Sequence, residues 1–182
     1  INSEVNNGFG YIEGTFDWNL YYIDLNSSSP VAFPTKTDNT YTWNWSSLSW
    51  EDARTLQDFK DVKLKEISEK LNSVLNTGYL VNSGSMSGKY LQAREEDKAN
   101  WLVSQNMYKQ AVDAGYGSVE NAFFRTSDNM TFTISFQEGL DTLNAMAEWG
   151  SAVMRNSWTL KDLVNVATTI TEVEAIDVES GW

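Results

Sequence analysis

The side chains with chemistry to offer in this sequence are carboxylates. The chain contains neither histidine nor cysteine. That removes the usual general base at neutral pH, the commonest metal ligand and the thiolate nucleophile together. Serine and cysteine triads, zinc hydrolases and non-haem iron triads are excluded in their usual forms, as are disulfides. Acid–base work by a carboxylate pair remains, as in glycoside hydrolysis, and so does oxygen-ligated Ca²⁺ or Mg²⁺. Glu13 with Asp17, and the run Glu95-Glu96-Asp97, are the pairs to consider. A glycosidase needs its two carboxylates at a set separation, one of them shielded so that its pKa rises. The run at 95–97 reads instead as the first turn of a helix, where the macrodipole favours negative charge. No calcium loop of the D-x-[DN]-x-[DN]-G type, no P-loop and no dinucleotide fingerprint occurs. Gly8-Phe9-Gly10 lacks a third glycine and precedes a strand pattern, not a helix. These observations predict a chain that is not an enzyme and calls for no cofactor or metal.

Aromatic side chains are the second resource. Four of the eight tryptophans (Trp18, Trp43, Trp45 and Trp50) fall between residues 18 and 50. Rings on one face of a sheet stack on sugars, and Asp17, Asn19 and Asn44 are placed to bind hydroxyls. The same rings serve equally as a core or as a docking face for a neighbouring subunit. Trp18, Trp43 and Trp45 are therefore candidate interaction residues. Trp182, after Ser180-Gly181, is a candidate terminal anchor into this domain or into a partner.

Charge narrows the partners. The net charge is −12 over 182 residues, with six acids and one base in 1–51, nine of each in 52–115, and ten acids and three bases in 116–182. So acidic a chain repels phosphate, which argues against nucleic acid and anionic membranes. No run approaches the ~20 apolar residues of a membrane helix. The polar start at 1–10 does not read as a signal peptide, and the N-x-[ST] sites at Asn26, Asn44 and Asn129 then carry no weight.

The elements that must position these residues change character along the chain. From Phe16 the sequence alternates, with Phe16, Trp18, Leu20 and Tyr22 on one face. Residues 26–34, rich in Ser and holding both prolines, read as a loop. Residues 40–46 alternate again, with Tyr41, Trp43 and Trp45 on one side. Ser49 with Asp52 reads as a helix start. The pattern to about residue 76 is helical, with Leu64, Ile67, Leu71 and Val74 in a heptad-like stripe and Lys60, Lys63, Glu66 and Lys70 off it. A helix so striped packs on a partner or a copy of itself, or lies on a sheet, the simpler expectation. Residues 77–89 read as a mobile loop or irregular hairpin around Met86. A second helix is expected over 92–114, with Trp101, Leu102, Gln105 and Tyr108 near one side and Gly115 and Gly117 ending it. A hairpin follows, 122–126 with 130–136, turning at Ser127-Asp128-Asn129. A third helix is expected over 137–155, burying Leu140, Leu143, Ala147 and Met154. A separate helical run, 160–167, is opened by Thr159 and Asp162. Thr169 and Glu172 form a capping box before a short helix, 171–176.

Within the last third, Phe124-Arg125-Thr126-Ser127-Asp128-Asn129 and its alternating strand are followed by Trp158-Thr159-Leu160-Lys161. Ala167-Thr168-Thr169, Glu174-Ala175-Ile176 and the closing Ser180-Gly181-Trp182 come next. In this order and spacing the motifs resemble a domain of unknown function found at the C-terminus of bacteriophage tail and tail-fibre-associated proteins. Upstream, residues 52–112 fit the same layout: a charged helix, then Gly78, a short irregular segment and a helix with Trp101. Tyr22-Ile23-Asp24, Pro34 and the Trp43 to Trp50 stretch resemble the short β leader that precedes such domains. The likeness spans 15–182 and is most specific over 122–182; the long Ser/Gly segment around Met86 departs from it. It supplies no catalytic residues. It implies a virion tail component, assembled in the bacterial cytoplasm, that contacts other tail or fibre proteins, with self-association a further expectation. A tail-fibre assembly chaperone and a glycan-binding host-recognition module are the alternatives.

The expected fold is α+β: a small N-terminal antiparallel sheet over 1–50, then a helix-rich domain with a β-hairpin over 51–182.

Overall fold

A computed structural model describes residues 20–24 and 29–182. The fold is α+β, and the chain divides after Thr55 into two compact units. No helix among the described residues is long and apolar enough to cross a membrane.

Among the described residues, the first unit holds two antiparallel ribbons. Strand β1 (Tyr21–Asp24) pairs with β2 (Ser29–Ala32), Tyr22 opposite Val31. Strand β3 (Tyr41–Asn44) pairs with β4 (Ser49–Asp52), Trp43 opposite Trp50. Three expectations are corrected here. Residues 29–32, read as loop, form a strand despite Pro30, because both strands of a two-stranded ribbon are edges and proline is tolerated there. The strand over 40–46 ends at Asn44, whose Oδ1 accepts from the backbone N–H groups of Ser46 and Ser47 and starts a turn. Trp45 thus leaves the alternation. Ser49 and Asp52 open no helix; they lie in β4, where the cross-strand Trp43–Trp50 pair outweighs a local capping signal.

The second unit begins with α1 (Leu56–Thr77). Its stripe centres on buried Ile67, with Leu64 half-buried beside it. The helix packs on the chain's later helices and not on a sheet as expected. Gly78, at φ 91°, ends it; a Cβ there would lie 2.3 Å from the Leu91 carbonyl oxygen, so only glycine fits. Strands β5 (Tyr79–Leu80) and β6 (Tyr90–Leu91) then form an irregular hairpin. The segment between them folds inward and buries Met86 to 1% exposure. Glu138 holds that segment, accepting from Ser85 N–H at 2.5 Å and from Ser85 Oγ at 3.1 Å.

Helix α2 (Glu95–Asp113) stops at Gly115, φ 87°. The hairpin of β7 (Glu120–Arg125) and β8 (Thr131–Ser135) forms where expected, with Ala122, Phe124 and Ile134 inward. Ser135 caps α3 (Phe136–Val166), accepting from Glu138 N–H. The expected break near Thr159 does not occur: α3 is one helix of 31 residues. Its buried stripe runs without interruption through Leu143, Met146, Val153, Ser157, Leu160 and Val164. Thr159 and Asp162 lie on the exposed side, and no glycine or proline intervenes to stop the turn. Ala147, expected in the core, is exposed. The capping box of Thr169 and Glu172 forms as expected and starts α4 (Ile170–Glu174).

Two clusters result. The larger gathers Met86, Leu91, Tyr108, Phe124, Ile134 and Leu143 between α2, α3 and the hairpins. The smaller joins Ile67, Leu160 and Val164 to residues near the C-terminus.

Candidate docking surfaces

In the first unit, Tyr22, Phe33, Trp43, Trp45 and Trp50 form one aromatic cluster. Trp43 is its centre, with ring centroids 4.7 Å from Phe33, 5.1 Å from Tyr22 and 5.3 Å from Trp50. Edge-to-face and tilted contacts of this kind add to the burial of the rings. Trp50 Nε1 donates to the Pro34 carbonyl at 2.7 Å, and Lys36 Nζ sits 5.3 Å from the Trp50 ring centroid. Trp43 and Trp45 therefore separate: Trp43 holds the cluster together, whereas Trp45 stands edge-on to it and is 66% exposed. Trp18, with Asp17 and Asn19, lies outside the described residues. Asn44 has its amide committed, since Nδ2 donates to Glu51 at 2.8 Å while Oδ1 serves the turn.

Trp182 is placed inside its own unit. It packs beside Ile67, Leu160 and Val164 with Ile176 and Val178, and Nε1 donates to the Val178 carbonyl at 2.9 Å. Asn156 Nδ2 donates to the Ser180 carbonyl at 3.0 Å, and Lys70 pairs with Glu179, fastening the segment that carries it.

Sequence reasoning missed a groove in the second unit. Along α3, Ala147, Gly150, Ser151, Met154 and Trp158 recur at i, i+3, i+4, i+7 and i+11, one helix face, and line an open hollow. Leu75 from α1 and Lys98 from α2 wall it, and the same two residues with Ala147 and Gly150 also border an adjoining cavity of about 240 Å³ lined by Trp101 and Leu102. Leu102 is 59% and Trp158 56% exposed. The signal was present in the sequence. Reading Ala147 and Met154 as core, with a helix break beside Trp158, hides it.

The carboxylates take ordinary roles. Asp97 binds Arg94 at 2.9 Å next to the start of α2, and Glu13 and Asp17 lie outside the described residues. Among the described residues, Asp38, Glu51, Asp52, Asp128, Glu172 and Asp177 all shift down. Lys89, then Thr126, holds Asp128 at about 2 by hydrogen bonding. Thr40 lowers Asp38, Asn44 lowers Glu51, Arg54 lowers Asp52, and backbone N–H groups lower Glu172 and Asp177. These shifts suit turns, caps and ion pairs, and oppose proton donation near neutral pH. Among the described residues no three acidic side chains converge as a metal site.

The family described as Domain of unknown function (DUF4376) matches residues 58–179. The chain belongs to that family. No curated protein and no solved structure matches it. The DUF4376 match runs from α1 through α4, so it takes in both hairpins, both core clusters and the α3 groove. Trp43 and Trp45 precede the DUF4376 residues, and Trp182 follows them.

Proposed function

We propose that this protein is a non-enzymatic adaptor of a bacteriophage tail, joining fibre or baseplate components through protein–protein contacts. One observation carries the reading: each compact unit presents its own open apolar face, Trp45 in the first and the α3 groove in the second. An adaptor needs two such faces, and exposed tryptophan in an apolar surround is typical of interface anchors. The downward-shifted carboxylates support a non-catalytic role. The tail assignment rests on the motif likeness over 122–182. A glycan platform at Trp45 has less support, because Asn44, the polar neighbour it would use, is already bonded on both sides of its amide.

Quantitative mass spectrometry of purified particles tests the reading. The expected result is this chain at a fixed symmetric ratio to a tail protein. Finding it only in infected-cell lysate, bound to a fibre protein, would overturn the structural role in favour of an assembly chaperone.

A further inference from the structure

We propose that Met130 is an oxidation site: a peroxide converts its thioether to the sulfoxide, and Lys89 both assists the step and carries its effect to the 81–89 segment. The inference goes beyond the adaptor reading and uses neither of its surfaces.

Exposure separates the five methionines. Met86 and Met146 are buried and Met154 is half-buried, whereas Met107 is 51% and Met130 47% exposed. A dissolved oxidant therefore reaches Met107 and Met130 first. What the sulfur meets distinguishes these two. Met130 Sδ accepts from Lys89 Nζ at 3.2 Å, and the same ammonium donates to Asp128 Oδ2 at 2.7 Å. Met107 makes no such contact among the described residues.

The step balances on sulfur and peroxide. A sulfur lone pair bonds one peroxide oxygen as the O–O bond breaks. The proton on that oxygen passes to the other, which leaves as water. Sulfur loses two electrons and the peroxide gains them. Negative charge develops on the departing oxygen, and an ammonium beside the sulfur is placed to donate to it. Thioether sulfur has a second lone pair, so the Lys89 contact leaves one free for the attack. The product strengthens that contact. Thioether sulfur is a weak acceptor, and a sulfoxide oxygen is a stronger one. Lys89 then holds two oxygen acceptors in the β7–β8 turn, on Asp128 and on Met130.

Lys89 also closes the segment that buries Met86. Within it Ser87 N–H donates to the Gly84 carbonyl, Gly88 N–H to Val81 and Lys89 N–H to Met86. These amides exchange with solvent when the segment opens. A firmer hold on Lys89 makes that opening rarer, so a change at an exposed sulfur is read at a core side chain.

The test treats the full chain with hydrogen peroxide and follows each methionine by peptide mass spectrometry. Met130 should oxidise about threefold faster than Met107, and Lys89→Leu should remove that advantage. Hydrogen exchange is then measured on a Met107→Leu/Met154→Leu chain, two volume-conserving swaps, so that the sulfoxide forms at Met130. Oxidation should slow exchange of the Ser87, Gly88 and Lys89 amides about threefold, and a methionine sulfoxide reductase should restore the original rates. Adding Lys89→Leu should erase the difference. Three results would each overturn the inference: Met130 oxidising no faster than Met107; Lys89→Leu leaving the Met130 rate unchanged; or the sulfoxide leaving exchange of these amides unchanged or speeding it. The first and last use chains with Lys89 intact, so they decide even if Lys89→Leu folds poorly. None bears on the chain's presence in particles, so the adaptor reading stands or falls separately.

Discussion

The two glycines of α3 give a prediction in which one substitution has opposite signs at two places. Gly139→Ala puts a methyl 2.8 Å from Ala122 Cβ and 3.1 and 3.2 Å from Tyr108 Cδ2 and Cε2. Neither neighbour yields easily. Ala122 is 0% and Tyr108 2% exposed, and the Tyr108 hydroxyl is bonded to both backbone groups of Phe123. Overpacking of this kind costs about 1–3 kcal/mol. The helix-propensity gain of up to ~1 kcal/mol shrinks this close to the helix start, so the variant should lose about 0.5–2 kcal/mol net. Gly150→Ala meets open space and keeps the propensity gain, so it should add about 0.5–1 kcal/mol. In thermal denaturation by circular dichroism at 222 nm, each kcal/mol moves the midpoint by about 3–6 °C for a unit of this size. The melt of Gly139→Ala should fall and that of Gly150→Ala should rise. Shifts of the same sign, or a falling midpoint for Gly150→Ala, would refute both the packing argument and the claim that the groove floor is open.

Three further outcomes follow from other contacts. Tyr108→Phe strips the partner from the Phe123 N–H (3.2 Å) and carbonyl (3.1 Å) on the outer edge of β7, and should cost about 1–3 kcal/mol in urea denaturation. Trp43→Ala removes the centre of the aromatic cluster and should cost about 2–3 kcal/mol and the near-ultraviolet circular dichroism of the first unit, whereas Trp45→Ala should cost under about 1 kcal/mol and keep that signal. Asp128, held at about 2 by Lys89 and Thr126, sits below the unfolded carboxyl value near 4. A depressed folded pKa contributes stability above the unfolded value and loses it as pH falls through the folded one. Acid titration should therefore uncover loosening of the contact between the 81–89 segment and the β7–β8 turn between about pH 4 and 2. Asp128→Asn should flatten that part of the profile, and an unchanged profile would show the pair to be idle.

How much of this was legible beforehand depends on whether the deciding force was local. The capping box at Thr169 and Glu172, the stop at Gly115 and the β7–β8 hairpin are written in side chains a few residues apart, and each forms as read. The errors share one cause: a short-range signal overruled by packing that the signal itself does not encode. Ser49 and Asp52 look like a helix start until Trp50 is paired with Trp43. Thr159 and Asp162 look like a second start until Val153, Ser157, Leu160 and Val164 prove to lie on one buried stripe. Met86, amid glycine and serine, gives no periodic hint of burial; it is buried because the 81–89 segment folds back under Glu138. The candidate site turned on a local feature instead. Trp43 and Trp45 look equivalent at i and i+2, and only the turn opened by Asn44 makes one the centre of a cluster and the other an exposed ring.

The break wrongly placed near Thr159 had a further consequence, because the groove is a property of α3 being whole. Ala147 to Trp158 share a face only if the helix runs through 155–160 unbroken, and it does so because the neighbouring face is buried against α1 and the C-terminal segment. The contacts that fasten that segment, Asn156 with Ser180 and Trp182 with Val178, thereby steady the helix that forms the floor. Disturbing the C-terminus should accordingly reach the groove without touching any residue that lines it. Trp182→Ala should speed amide hydrogen exchange over 150–158 as well as lower the melting temperature, while the same substitution at exposed Val103 should do neither.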